Sequence, residues 1–250
     1  MNDHVVTSTT DGILTIRLNR PERLNAWNTE MRRRVGALFQ GANADPAVRA
    51  IILTGTGERA LCAGQDLNEA ETFDGDASEA WIDEFRTFYN QLRRLEKPYV
   101  VALNGLAAGS AFQATLFADQ RVGHPEVRMG QPEINSGILS MTGFWIIREI
   151  LGLARATDLV LTGRLMPAAE CVQVGLINHM VPADEVLAKA TQVAAELAAK
   201  PAAIYRLNKQ RLCAVTQGAF EDAFEAARIQ HRAAFEAGAP QQRMKEFLGH

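Results

Sequence analysis

The chain has 250 residues, 47% of them hydrophobic and 22% charged, with a formal net charge of −3. That balance suits a soluble globular chain with a sizeable core and argues against a nucleic-acid binder. Three cysteines without metal spacing argue against a disulfide framework, and five scattered histidines against a histidine metal site.

The first ten residues lack a charged segment followed by an apolar one, and no window reaches transmembrane length. A cytoplasmic protein without membrane contact is therefore expected. GILTIRL, Gly12 to Leu18, alternates apolar and polar residues like a strand with one buried face. A loop, NRPERLNAWN, follows, and Asn28 is placed to cap the next helix. That helix carries Arg32, Arg33 and Arg34, a run that reads as a solvated face.

VRAIILTGTG is a β-branched strand ending at Gly55 and Gly57, and ERALCAGQDL is a second short apolar piece running into Ala-Gly. Residues 68–80 are polar and acidic, which predicts a mobile loop or frayed helix. AWIDEFRTFYNQLRRLEK has helical periodicity and must stop before Pro98. PYVVALNG then reads as a buried strand and a turn. Strands alternating with helices indicate α/β organisation. Beyond Gln131, TGFWIIREILG, LARATDLVLTG and PAAECVQVGLI predict three short helices, with INHMVP a last strand. From Asp184 the chain reads as helical, with breaks at Pro201 and near Gly218, Gly238 and Pro240.

Three segments are candidates for chemistry. CAGQDL at 62–67 and NGLAAGSA at 104–111 each join a strand end to a helix start through small residues, leaving backbone N–H groups approachable. Two such amides converging on one point make an oxyanion hole; glycine-rich turns also serve close packing alone. Neither segment carries a dinucleotide or phosphate-loop fingerprint, and Ser110 lacks the flanking glycines of a nucleophile elbow. Cys62 reads as a buried small hydrophobe or, less simply, a thiol nucleophile. The third segment is MGQPEINSGILSMTG, in which Glu133 follows a proline in an otherwise uncharged stretch. It is either a helix-start carboxylate or a general base raised by an apolar pocket.

In this order the segments resemble the crotonase superfamily, the enoyl-CoA hydratase/isomerase family, from LNRPERLNAWN through KPYVVALNGLAAGSAFQATLFAD to DLVLTGRLMPAAECVQVGLINHMVP. The resemblance implies an α/β crotonase-like (ClpP/crotonase) fold of repeated ββα units with a C-terminal helical region. It divides the chain into a core, residues 1–183, and a helical region, residues 184–250, packed on that core or on a neighbouring subunit. It further implies an enzyme acting on acyl-CoA thioesters as a homotrimer or dimer of trimers. No metal or other cofactor is expected, coenzyme A being part of the substrate.

Carried over by position, the oxyanion amides belong to Gln65 and Ser110. Coenzyme A would contact Arg23, Leu24, Ala26 and Ala63, with Lys245 and Phe247 from the C-terminus. The family's hydratases carry two catalytic glutamates twenty residues apart. Here the second is Glu133, and the first position holds Gln113. Glutamine cannot accept a proton as a base, so isomerase-type proton transfer by Glu133 alone is slightly preferred. Hydration with water held by another residue, such as Asp66, Ser140 or Thr142, is the near alternative. A decarboxylase or hydrolase variant and a silent CoA-binding protein also fit. Trp145 and Phe144 either border the acyl pocket or pack in the core.

Overall fold

The computed structural model describes residues 3–249. Its strands are β1 (Val5–Thr10), β2 (Ile13–Leu18), β3 (Ala50–Gly55), β4 (Ala60–Cys62), β5 (Tyr99–Ala102), β6 (Leu106–Ala108), β7 (Gln120–Gly123), β8 (Arg128–Gly130), β9 (Leu165–Pro167) and β10 (His179–Met180). Between and after them lie α1 (Thr29–Ala44), α2 (Leu67–Ala70), α3 (Gly75–Arg93), α4 (Ser110–Leu116), α5 (Met141–Leu151), α6 (Leu153–Thr162) and α7 (Ala168–Gln173). The chain closes with α8 (Val186–Ala198), α9 (Ala202–Glu236) and α10 (Ala239–Leu248).

Successive strands divide between two sheets. One has the order β1-β2-β3-β5-β7-β10, the other β4-β6-β8-β9. In the pairs β3–β4, β5–β6 and β7–β8, the first strand joins the larger sheet and the second the smaller. This is the repeated ββα plan that the resemblance implied. Strands β4, β6 and β8 are parallel neighbours, so their C-terminal ends lie side by side. In a parallel sheet those ends are where loops gather around a ligand.

The period-2 alternation of the strands assigns the core. Ile13, Ala50, Ile52, Val100, Ala102 and Val122 pack against Val186, Ala190, Val193 and Ala194 of α8. Leu14, Ile51, Leu53, Tyr99 and Val101 face the other way, into the main core with α1 and α3. Lys209 of α9, nearly buried, donates to both carboxylate oxygens of Asp119 at 2.9 Å and ties that helix to the end of α4's loop.

Three expectations fail for local reasons. Residues 68–80 hold most of α2, a turn at 71–74 and the start of α3, because aspartates cap both helices: Asp66 accepts from Asn68 N–H and Asp74 from Ala77 N–H at 2.8 Å. Gly218 does not interrupt α9, whose 35 residues run from just after Pro201 to Glu236. A single glycine there costs only about 1 kcal/mol, which the packing of the helix offsets. Arg32 is not solvated; it is 2% exposed, while Arg33 of the same run is open to solvent. No helix among the described residues is long and apolar enough to cross a membrane.

Candidate active site

The three candidate segments are the ends of β4, β6 and β8, and they meet at one cavity of about 130 Å³. Its polar side is Ala63, Gly64, Gln65, Gly109, Ser110, Gln113 and Glu133, and its apolar side includes Leu67, Trp81, Ile82, Phe85 and Ile138. After β4 the chain turns at Gly64, whose φ of +97° favours glycine. A β-carbon there would lie 2.8 Å from Ala108 O and 3.6 Å from Ser110 N, so the two strand ends could not approach as they do.

Trp27 clamps the next peptides. Its N–H donates to Gly64 O and its carbonyl accepts from Asp66 N–H, both at 3.0 Å. In such a parallel bridge the residue between, Gln65, turns its own N–H away from Trp27. Neither Gln65 N–H nor Ser110 N–H, the first amide of α4, has a protein acceptor among the described residues. The Trp27 indole N–H donates to Ser110 Oγ at 2.9 Å and joins the two loops.

After β6, Gly109 adopts φ +57° and ψ −129°, a conformation open to glycine, and its N–H donates to Gly130 O at 2.9 Å. After β8, Pro132 leads into a 3-10 turn, Glu133–Ser136, that carries Glu133. A β-carbon on Gly109 would lie 2.7 Å from Glu133 Oε1, so the carboxyl rests against bare backbone beside the start of α4.

Gln113 sits one turn into α4 and is 5% exposed. Tyr89 of α3 donates its hydroxyl to Gln113 Oε1 at 2.9 Å. That bond orients the amide nitrogen toward Glu133 Oε1, at a long 3.5 Å. Glu133 Oε2 is buried without a partner. Among the described residues the carboxyl thus has no cation and no strong donor, and burial pushes its pKa up to about 8, opposed by its own backbone N–H.

Comparison with known proteins places the chain in a family. Residues 8–249 match the family described as enoyl-CoA hydratase/isomerase. The chain belongs to the enoyl-CoA hydratase/isomerase family. It is 32% identical to a probable enoyl-CoA hydratase of Mycobacterium bovis over 90% of this chain and 84% of that protein. It is equally 32% identical to 1,2-epoxyphenylacetyl-CoA isomerase of Escherichia coli, over 85% of this chain and 82% of that one. The crystal structure of an enoyl-CoA hydratase/isomerase from Xanthobacter autotrophicus superposes with a TM-score of 0.86 at 26% identity, covering 100% of this chain and 93% of that chain. The fold is therefore that of the crotonase superfamily.

Within this family member, the other residues singled out in the sequence fall in several places. Arg23, Leu24 and Ala26 lie in the loop beside Ala63, whose N–H donates to Leu24 O at 3.0 Å; of the four, only Ala63 lines the cavity. Phe247 of α10 is on the cavity wall although 59% exposed, whereas Lys245 is exposed and not on that wall. Thr142 lines the cavity. Asp66 instead pairs with Arg20 at 2.9 Å, and Ser140 accepts from Gln131 Nε2 at 3.3 Å. Trp145 packs edge-on against Phe220 in the core, and Phe144 also packs against the core. Cys62 is fully buried, and burial pushes its thiol up to about 12, which makes it a small hydrophobe.

The sequence reading missed Trp81, Phe85, Tyr89 and His231. The first three recur at i, i+4 and i+8 on α3, a visible stripe, but nothing in a single sequence says which core stripe borders a cavity. His231 of α9 sits against Trp81, its Nε2 3.1 Å from Leu139 O, and burial lowers its pKa to about 4. Among the described residues no group of three or more His, Cys, Asp or Glu side chains is placed to hold a metal ion.

Proposed function

We propose that this enzyme moves a proton at the carbon beside the thioester of an acyl-CoA, through an enolate, with Glu133 as its only acid/base. The observation that carries the reading is the pairing of one raised carboxyl, whose Oε2 has no partner among the described residues, with a neutral amide where the hydratase pattern has a second carboxylate. In the proposed cycle, ionised Glu133 takes a C2 proton from a 3-enoyl thioester. The electrons pass to the thioester oxygen, which accepts hydrogen bonds from Gln65 N–H and Ser110 N–H. The protonated carboxyl then returns the proton to C4, leaving the 2-enoyl product. Each oxyanion donor is worth roughly 2.7–4 kcal/mol in such a step. A carboxyl that titrates near neutrality suits both taking and returning a proton.

An aromatic wall of Trp81, Phe85 and His231 lines one side of the cavity, whose size is close to that of the roughly 150 Å³ cavity known to admit benzene. The site therefore suits a short or single-ring acyl group. Hydration is the second reading, favoured by Gln113 Nε2 and the Thr142 hydroxyl as groups at the cavity that can hold a water. Exposed Ile204, Leu207, Leu212 and Val215 on α9 offer an apolar face for the expected trimer.

The test is turnover of short 2-enoyl- and 3-enoyl-CoA thioesters, with products followed by mass and by the absorbance of the conjugated thioester. The expected result is a shifted double bond at unchanged mass, with Glu133→Gln reducing the rate by on the order of a thousandfold. Undiminished turnover by the variant would remove Glu133 from the mechanism, and gain of water as the main product would select hydration.

A further inference from the structure

Arg32 is the most deeply buried cation near the site, and its hydrogen bonds are unusual. A buried guanidinium is costly unless its partners compensate, and carboxylates normally take the direct bonds. Here the two nearest carboxylates stand off, Glu84 at 3.6 Å and Glu69 at 3.9 Å. Nη1 instead donates to a neutral amide oxygen, Gln65 Oε1. Nη1 also reaches Trp27 O at 3.4 Å, and Nη2 donates to Thr29 Oγ1 at 2.9 Å. The guanidinium carbon lies 4.5 Å over the Phe85 ring.

The rest of the Gln65 side chain is equally committed. Its Oε1 accepts a second bond from the Trp81 indole at 3.3 Å, and its Nε2 donates to Glu69 Oε2 at 2.8 Å and Asp66 O at 3.1 Å. Glu69 also accepts from Thr29 N–H, closing the network on the start of α1. A side chain held at both ends leaves little freedom to the peptide that bears it. That peptide carries the N–H left without a protein acceptor at the cavity.

We infer that Arg32 is a positioning residue: through the Gln65 side chain it fixes the direction of the Gln65 N–H, and through the same oxygen it locks Trp81 against the acyl group. The inference rests on the oxyanion role proposed above for that N–H. A misplacement of about 1 Å at a catalytic group can cost a hundredfold in rate. Arg32→Met is therefore expected to lower kcat by about ten- to a hundredfold while KM changes by less than about threefold. Arg32→Lys, which keeps the charge and a donating group but loses the planar fork, should recover part of the loss.

The deciding experiment combines these rates with infrared difference spectra of a bound, unreactive acyl-CoA, in parent, Arg32→Met, Gln65→Ala and the double variant. The parent should show the thioester carbonyl stretch displaced to lower frequency, and both single variants should lose most of that displacement. The double variant should be no slower than the slower single one, because both changes cut the same tether. A parent spectrum without displacement would sink the oxyanion reading itself. A displaced parent with unchanged variants, or losses that multiply in the double variant, would overturn the role of Arg32. If Arg32→Met does not fold, Gln65→Ala decides: parental kcat and parental stretch in that variant overturn the inference, and loss of both supports it.

Discussion

Gln113 sets a neutral amide beside Glu133 at the cavity. Its Oε1 is engaged by the Tyr89 hydroxyl, so only the amide nitrogen faces Glu133, and it faces it at 3.5 Å. An N–H there can hold a water or a substrate oxygen but can neither accept a proton nor share one with Glu133. Gln113→Glu would restore a second carboxyl within reach of the first. Hydration of a short 2-enoyl-CoA is then expected to rise at least about tenfold, followed by loss of the 2-enoyl absorbance, since acid–base groups contribute about 10²–10⁴-fold. No gain would count against the proposed preference for isomerisation over hydration. At this scale the sequence was informative where a charge is missing and silent where one is hidden. The Gln113–Glu133 spacing was readable directly. The burial of Arg32 was not, because its partners Gln65 and Phe85 lie 33 and 53 positions away and a triplet of arginines looks solvated.

The elements that matter are the ends of β4, β6 and β8. The chemistry proposed for them uses backbone N–H groups and backbone turns, so glycines and a proline marked them in the sequence before any packing was known. What surrounds them was harder to read: β9, which pairs with β8, has three residues, too few for a period to register. The turn at Gly109 gives the sharpest test. Gly109→Ala would place a methyl group 2.7 Å from Glu133 Oε1 in a backbone conformation that L-residues rarely adopt. We expect kcat to fall by on the order of a hundredfold with the fold retained, measured as turnover alongside circular dichroism. Parental turnover would mean that Glu133 can leave Gly109 without consequence.

At the level of the whole molecule, the long α9 helix brings His231 and the core aromatics Phe220 and Phe224 against α3, and α3 in turn supplies the cavity wall. The sequence revealed an Ala-rich helical C-terminus but not that it backs the site, since that packing joins residues more than a hundred positions apart. The raised Glu133 also links stability to pH. Its folded pKa of about 8 lies above the unfolded value near 4.5, so it binds its proton more tightly when folded. That contribution is complete below about pH 4.5 and is lost as pH rises through 8. Glu133→Gln removes the dependence, so its Tm relative to the parent should climb by several degrees between pH 5 and pH 9. Parallel Tm profiles would mean that folding does not raise the carboxyl's pKa. The most direct measurement of the central claim is exchange of the α-hydrogens of a saturated short acyl-CoA in deuterated buffer, followed by mass across the pH range. Exchange per molar second should rise about tenfold per pH unit, level off near 8 and vanish in Glu133→Gln; exchange that is indifferent to pH, or that persists in the variant, would contradict the account.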